Sequence, residues 1–217
     1  MKKVKKIALA LVCVLLVGAL CGCGAKFDAS GYLSAILDNS YKGDSKALVD
    51  QKIGTAEEAA KVYEDGIDAE MSAVLPAGSG VSSELEGEFR EVFKEMLGKV
   101  KYTVGDAEKQ SDNSYVVTVT YEQMKIFEPT MTQYLAEVEA MGAEWAADPE
   151  SAPSEDEMLE AVYASLKDCL KSNLASVEYA GSATTTVRIE LSNNVYTPNQ
   201  SDIEKLETLL FDIDAVQ

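Results

Sequence analysis

Cysteine is the scarcest reactive side chain in this sequence, at positions 13, 21, 23 and 169, and histidine is missing altogether. Without an imidazole, the usual Ser-His-Asp and Cys-His relays, His-ligated zinc and the side chain best matched to proton transfer near neutral pH are all unavailable. Carboxylates are plentiful, 37 in the chain, so a pair of acids working as in a glycosidase is the one familiar enzymatic arrangement left open. Such a pair needs burial to raise one pKa, and most of these acids fall on helix surfaces in the pattern read below. No catalytic residue is therefore assigned. A calcium loop would need acceptor oxygens at positions 1, 3 and 5 and Glu at position 12. The stretch Asp38-Asn39-Ser40-Tyr41-Lys42-Gly43 puts Lys42 at position 5 and Val49 at position 12, and fails. Gly78-Ser79-Gly80 lacks the Lys that follows a phosphate-binding loop. No metal or cofactor site is expected. Tyr102, Tyr115 and Tyr121 are the remaining candidates, as a concave aromatic wall for a small apolar ligand or peptide; the competing expectation is that helices cover these rings.

The elements that would position these residues follow from periodicity and capping. Asp28 fits a helix N-cap with Phe27 stapled to Tyr32, and Leu33, Ile36 and Leu37 carry the stripe on to a stop at Gly43. A short helix is expected from Asp44 to about Gln51. Thr55 and Glu58 form a capping box before Ala59, Val62, Tyr63, Ile67, Met71 and Val74. After the break at Pro76 to Gly80, Phe89, Val92, Phe93, Met96 and Leu97 mark another helix opening near Ser82 or Ser83. Alternation then takes over: Val100, Tyr102, Val104 and Tyr115, Val117, Val119, Tyr121, with Asp112 and Asn113 between them, predict a hairpin.

Glu128 and Pro129 suit a helix start, with Met131, Leu135, Val138, Met141 and Trp145 as its apolar stripe. Ser154 and Glu157 box the next helix, which runs to about Val177 and carries Cys169 on a face with Val162, Tyr163, Leu166 and Leu170, where a free thiol behaves as a small hydrophobe. Ala183, Thr185, Val187, Ile189 and Leu191 alternate as a half-buried strand; Asn193 and Asn194 turn it, and Val195 to Thr197 can return. Ser201 and Glu204 are placed as the cap of a last helix carrying Ile203, Leu206, Leu209, Leu210 and Ile213. The order predicts an α+β fold, amphipathic helices packed on a small antiparallel sheet.

The first residues are of another kind. Lys2, Lys3, Lys5 and Lys6 precede an uncharged run of 14 residues, Ile7 to Leu20, which is the layout of a secretory signal and short of the ~20 residues a permanent span needs. Its end, Leu20-Cys21-Gly22-Cys23, resembles the lipobox of bacterial lipoproteins. The resemblance implies recognition of Leu20, Cys21 and Gly22, cleavage before Cys23, and acyl chains on Cys23 as the attachment to the outer face of a cell membrane. It also divides the chain into a signal peptide (1–22), a short lipid-anchored tether (23–27) and one acidic domain (28–217). With Cys13 and Cys21 removed and Cys23 acylated, Cys169 has no partner for an internal disulfide or a thiolate zinc site.

Loss of the signal leaves 15 basic residues against all 37 acidic ones, a formal charge of −22. Arginine occurs only at Arg90 and Arg188. Nucleic acid, which is held through clustered Lys and Arg, is therefore excluded as a partner, and an electrostatic hold on anionic lipid is disfavoured. The succession Phe27 to Tyr32, Leu37 to Asp44 and Glu57-Glu58-Ala59 with Tyr63 to Gly66 is similar to uncharacterised small lipoproteins of clostridial-type Gram-positive bacteria. That resemblance implies a cystatin-like or NTF2-like α+β domain and no known chemistry. The expectation is a membrane-anchored, non-enzymatic module that binds an unknown protein, peptide or small molecule. The alternatives are a carboxylate-dependent envelope hydrolase or the solute receptor of an importer.

Overall fold

A computed structural model describes residues 27–75 and 78–216. The signal segment, with Leu20, Cys21, Gly22 and Cys23, lies outside the described residues.

Local chemistry sets the first four helices. In α1 (Ala29–Lys42) the Asp28 carboxylate accepts from the Gly31 N–H at 2.9 Å, and the chain stops at Gly43, whose φ of 65° suits a residue without Cβ. The short α2 (Lys46–Asp50) follows. Both halves of the Thr55/Glu58 capping box are made at the start of α3 (Ala56–Val74), and Ser82 caps α4 (Ser83–Gly98). α1, α3 and α4 carry their apolar residues at spacings of three and four, which turns one face to the core, while α2 buries Leu48 alone.

The sheet is antiparallel throughout, in the order β1-β2-β5-β6, from β1 (Lys101–Lys109), β2 (Tyr115–Glu122), β5 (Ala183–Ser192) and β6 (Val195–Pro198). Turns fix the register. Asn113 (φ 68°) serves the first hairpin, and Asn193 and Asn194 (φ 53° and 62°) give the paired left-handed residues of a tight turn in the second. Between Val104 and Ala107 the β1–β2 register slips in a bulge at Gly105 and Asp106, where the Gly105 carbonyl accepts from Ser30 Oγ at 2.7 Å. Val117, Val119, Val187 and Ile189 are buried on one face under α1 and α7 (Gln200–Leu210), while Thr118, Thr184 and Thr186 on the other face are exposed. A half-covered antiparallel sheet of this kind needs the alternation seen in β5.

A second, two-stranded ladder joins β3 (Met124–Lys125) to β4 (Glu178–Tyr179) and closes the base of a helical hairpin made of α5 (Phe127–Ala147) and α6 (Glu155–Ala175). Among the described residues the fold is thus seven α-helices on a four-stranded sheet and a two-stranded one, with a final 3-10 turn at Ile213–Val216.

Three expectations change. α5 begins at Phe127, which places Pro129 third rather than first in the helix, because its leading N–H groups are capped from outside, by Asp212. The α7 cap is Asn199, accepting from Asp202 N at 3.1 Å, and Ser201 lies within the helix. β6 ends at Pro198, so Asn199 is the first residue free to cap. The α5 stripe is the largest change. None of Met131, Leu135, Val138, Met141 and Trp145 is buried, and Leu135 is 60% exposed, because α5 leans on α6 and the 3-10 turn instead of on the sheet.

Candidate functional site

The three tyrosines do not form an open wall. They share the inner face of β1 and β2, where Tyr102 stands opposite Tyr121. Tyr102 packs on Tyr41 of α1, lies under the Lys42 ammonium, and donates its hydroxyl to Asp38 Oδ1 at 2.7 Å. Burial and the neighbouring Asp38 push the Tyr102 hydroxyl pKa up. Burial works against the charge of Asp38 too, but hydrogen bonds from Lys42, Tyr102 and Ser34 outweigh it and hold the carboxyl below its ordinary range. Tyr115 is 5% exposed and sits at the other end of the face, among Phe27 and Tyr196, while Tyr121 is half-buried against the core.

Chemistry gathers instead where α5 leaves the sheet. The buried Asp212 follows α7 and aims its carboxylate at the N-terminus of α5: Oδ1 accepts from the N–H groups of Ile126 at 3.0 Å and Phe127 at 2.9 Å, and Oδ2 from Glu128 at 3.1 Å. Three amides that no helical carbonyl could reach are thus satisfied by one acid at the positive end of the helix dipole. Beside it opens a groove of about 470 Å³, with Met131 and Leu135 as its apolar side and Lys125, Glu128, Thr132 and Asp214 as polar groups. Its size and mixed lining suit a short peptide segment or small molecule.

A second groove of about 410 Å³ between α3 and α4 includes Asp68, Met71, Leu75 and Arg90. Arg90 is already engaged there by Glu64 at 3.0 Å and by Asp68. It is therefore poorly placed to receive an anion.

Two further acids lie in the interior besides Asp212. Glu70 of α3 is 0% exposed and its carboxyl oxygens have no hydrogen-bond partner; Glu207 of α7 is 4% exposed. Burial pushes Glu70 up to about 7, and burial together with the charges of Glu70 and Glu204 pushes Glu207 up to about 9. These are the raised carboxyls that acid catalysis would require, yet neither lines either groove described above. Burial favours the protonated form of both acids. Glu70 falls within the stripe of Ile67 and Met71, and Glu207 follows Leu206, so an acid at a core-facing helical position was the available signal.

Cys169 is buried at the α5–α6 seam as its spacing implies. The seam is more polar than expected. Ser165 Oγ donates to Glu137 at 2.6 Å, Asn173 to Gln133 at 3.1 Å, and burial with the Glu137 carboxylate beside it pushes the Cys169 thiol up to about 11. A thiol held so far above neutrality is a poor nucleophile. Among the described residues no cluster of three or more acidic, Cys or His side chains could hold a metal ion, and no helix is long and apolar enough to cross a membrane.

Compared with known proteins, the chain matches no family model and no curated protein. Among solved structures it resembles that of the candidate lipoprotein ycdA from Bacillus subtilis, at 18% identity and a TM-score of 0.52, over 83% of this chain and 55% of that one. At this identity the likeness is one of fold, and the chain spans about half the length of ycdA.

Proposed function

We propose that this chain is a lipoprotein, held at the outer face of a cell membrane by acyl chains on Cys23, and that its α+β domain serves there as a binding module for a protein or peptide. The observation that carries the reading is Leu20-Cys21-Gly22-Cys23 closing a basic and then uncharged N-terminal segment. The fold likeness to ycdA, itself described as a candidate lipoprotein, agrees with it. The binding half of the reading is supported by the groove beside α5, where Leu135 stands 60% exposed next to charged groups of both signs. An exposed large apolar side chain at the lip of a groove is the kind of feature that partners cover.

Mass spectrometry of membrane-extracted protein is the test of the anchor: an acylated N-terminal peptide starting at Cys23 is expected, and an unmodified peptide running through Cys21 would refute it. For the module, a photo-crosslinking residue at Leu135 should capture one discrete partner in native membranes. Capture should be lost when Met131 is changed to Lys; equal capture from the exposed Thr186 would remove the groove from consideration.

A further inference from the structure

Phe27, the first of the described residues, is packed into an aromatic cluster. Its ring stacks on Tyr196 at 3.9 Å and 7°, and meets Tyr32 and Tyr115 at 5.4 and 5.5 Å. Tyr115 opens β2 and Tyr196 lies in β6, so this aromatic cluster marks one end of the sheet. From that same end project the β1–β2 turn, 110–114, and the β5–β6 turn at Asn193 and Asn194.

Cys23 precedes Phe27 by four residues, which span at most ~14 Å in any conformation. A lipid on Cys23 would therefore bring this end of the sheet against the bilayer. The opposite end, where β2 finishes at Glu122, lies ~23 Å further along the strand. The two turns themselves carry little charge. The turn residues Gln110 to Ser114 and Ser192 to Asn194 hold a single carboxylate, Asp112, in a mature chain whose formal charge is −22. Lys109 leads into the first turn with its ammonium 6.0 Å from the Tyr115 ring, and Leu191 beside the second is 37% exposed.

We infer that the sheet end built on Phe27, Tyr115 and Tyr196 is the membrane-facing surface, with both hairpin turns at the level of the lipid headgroups. This rests on the proposed anchor at Cys23. Its consequence is that the groove beside α5, which opens at Lys125 just beyond the far end of β2, is turned toward the aqueous side, where a partner can reach it.

The test uses the full, lipidated chain reconstituted in phosphatidylcholine vesicles containing a small fraction of phosphatidylcholine with a nitroxide on its headgroup. A fluorophore is placed by Ser111→Cys, Ser192→Cys or Ser182→Cys. All three positions are exposed, whereas the native Cys169 is buried, and Ser182 stands at the far end of the sheet. Quenching at 111 and 192 is expected to exceed that at 182 by about two-fold or more, since the positions differ by most of a strand length. Inserting a flexible Gly-Ser segment of about twenty residues after Lys26 should erase the difference while the protein still floats with the vesicles. Equal or stronger quenching at 182 in protein that floats overturns the orientation and leaves the anchor standing. Protein that does not float at all removes the anchor, and the orientation with it.

Discussion

α4 and α5 differ in a way that composition alone would invert. α4 carries Glu84, Glu86, Glu88, Arg90, Glu91, Lys94 and Glu95 in its four turns, yet it buries Leu85, Phe89, Val92, Phe93, Met96 and Leu97. The longer α5 has only Glu128, Glu137, Glu139 and Glu144 as charges and buries Thr130 alone. Coverage explains the difference. In α4 the apolar residues keep to one face, which packs against α1, α3 and α6. In α5 Met131, Leu135, Val138, Met141 and Trp145 also share one face, but the helix leans on α6 and the 3-10 turn, and its contacts toward α6 include Gln133 and Glu137. A helix joins the core when its apolar face has a partner to cover it, and the face alone does not ensure that.

If that contrast is right, substitutions in the two regions should separate widely. Phe89→Ala in α4, at a fully buried ring, should lower unfolding free energy by ~3–5 kcal/mol in urea titrations. A loss under about 1 kcal/mol would mean that α4 is not core. Asp212→Ala should cost ~2–3 kcal/mol, since three amides lose their acceptor at once. Its effect should be regional: hydrogen exchange at the first turn of α5 should accelerate while β2 and β5 stay protected, and uniform acceleration would show that the α5–α6 hairpin does not open independently of the sheet.

Glu70→Gln tests the body from the opposite direction. The folded pKa of Glu70 is raised to about 7 from a usual 4.5, so the folded state holds the extra proton between those values. Its favourable share is therefore complete below about pH 4.5 and is lost as pH rises through about 7, with Glu207 extending the decline toward pH 9. The Gln variant, which cannot ionise, should match wild type near pH 5 and be more stable by ~2 kcal/mol at pH 8. A flat difference across that range would show that Glu70 is not buried in its acid form. The smallest effect is expected from Leu135→Ala, within ~0.5 kcal/mol of wild type in the same titrations, because the side chain is already mostly in water.

Where local chemistry decides, the sequence was readable. Asp28 and Gly43 bound α1, Thr55/Glu58 and Ser154/Glu157 make their capping boxes, and Asn193 and Asn194 adopt the positive φ that their turn demands. The expected α+β architecture followed from these boundaries and the change of period at Val100. What stayed hidden was nonlocal. Asp212 caps a helix more than 80 positions earlier in the chain, and the two-residue ladder of Met124 and Lys125 with Tyr179 and Glu178 is too short to carry a pattern. Glu70 and Glu207 were counted among many surface acids, although both stand on the buried side of their helices. For α5 the apolar count was read as a stripe when the tertiary partner it needed was absent from one side. The tyrosines of β1 and β2 alternate correctly, but alternation does not say whether α1 covers them.

The slip at Gly105 and Asp106 bears on how these molecules tolerate one another. β1 is an edge strand, and a straight edge offers unpaired amides and carbonyls to any neighbour of the same kind. Lipid attachment would confine copies to a plane, aligned by the same short tether, a setting in which sheet edges meet far more often than in solution. The bulge bends that edge, and Ser30 already occupies the carbonyl of Gly105, so two β1 edges brought side by side find no continuous ladder to share. If copies are crowded on a surface, the β1 edge is then poorly suited to joining neighbours into a common sheet.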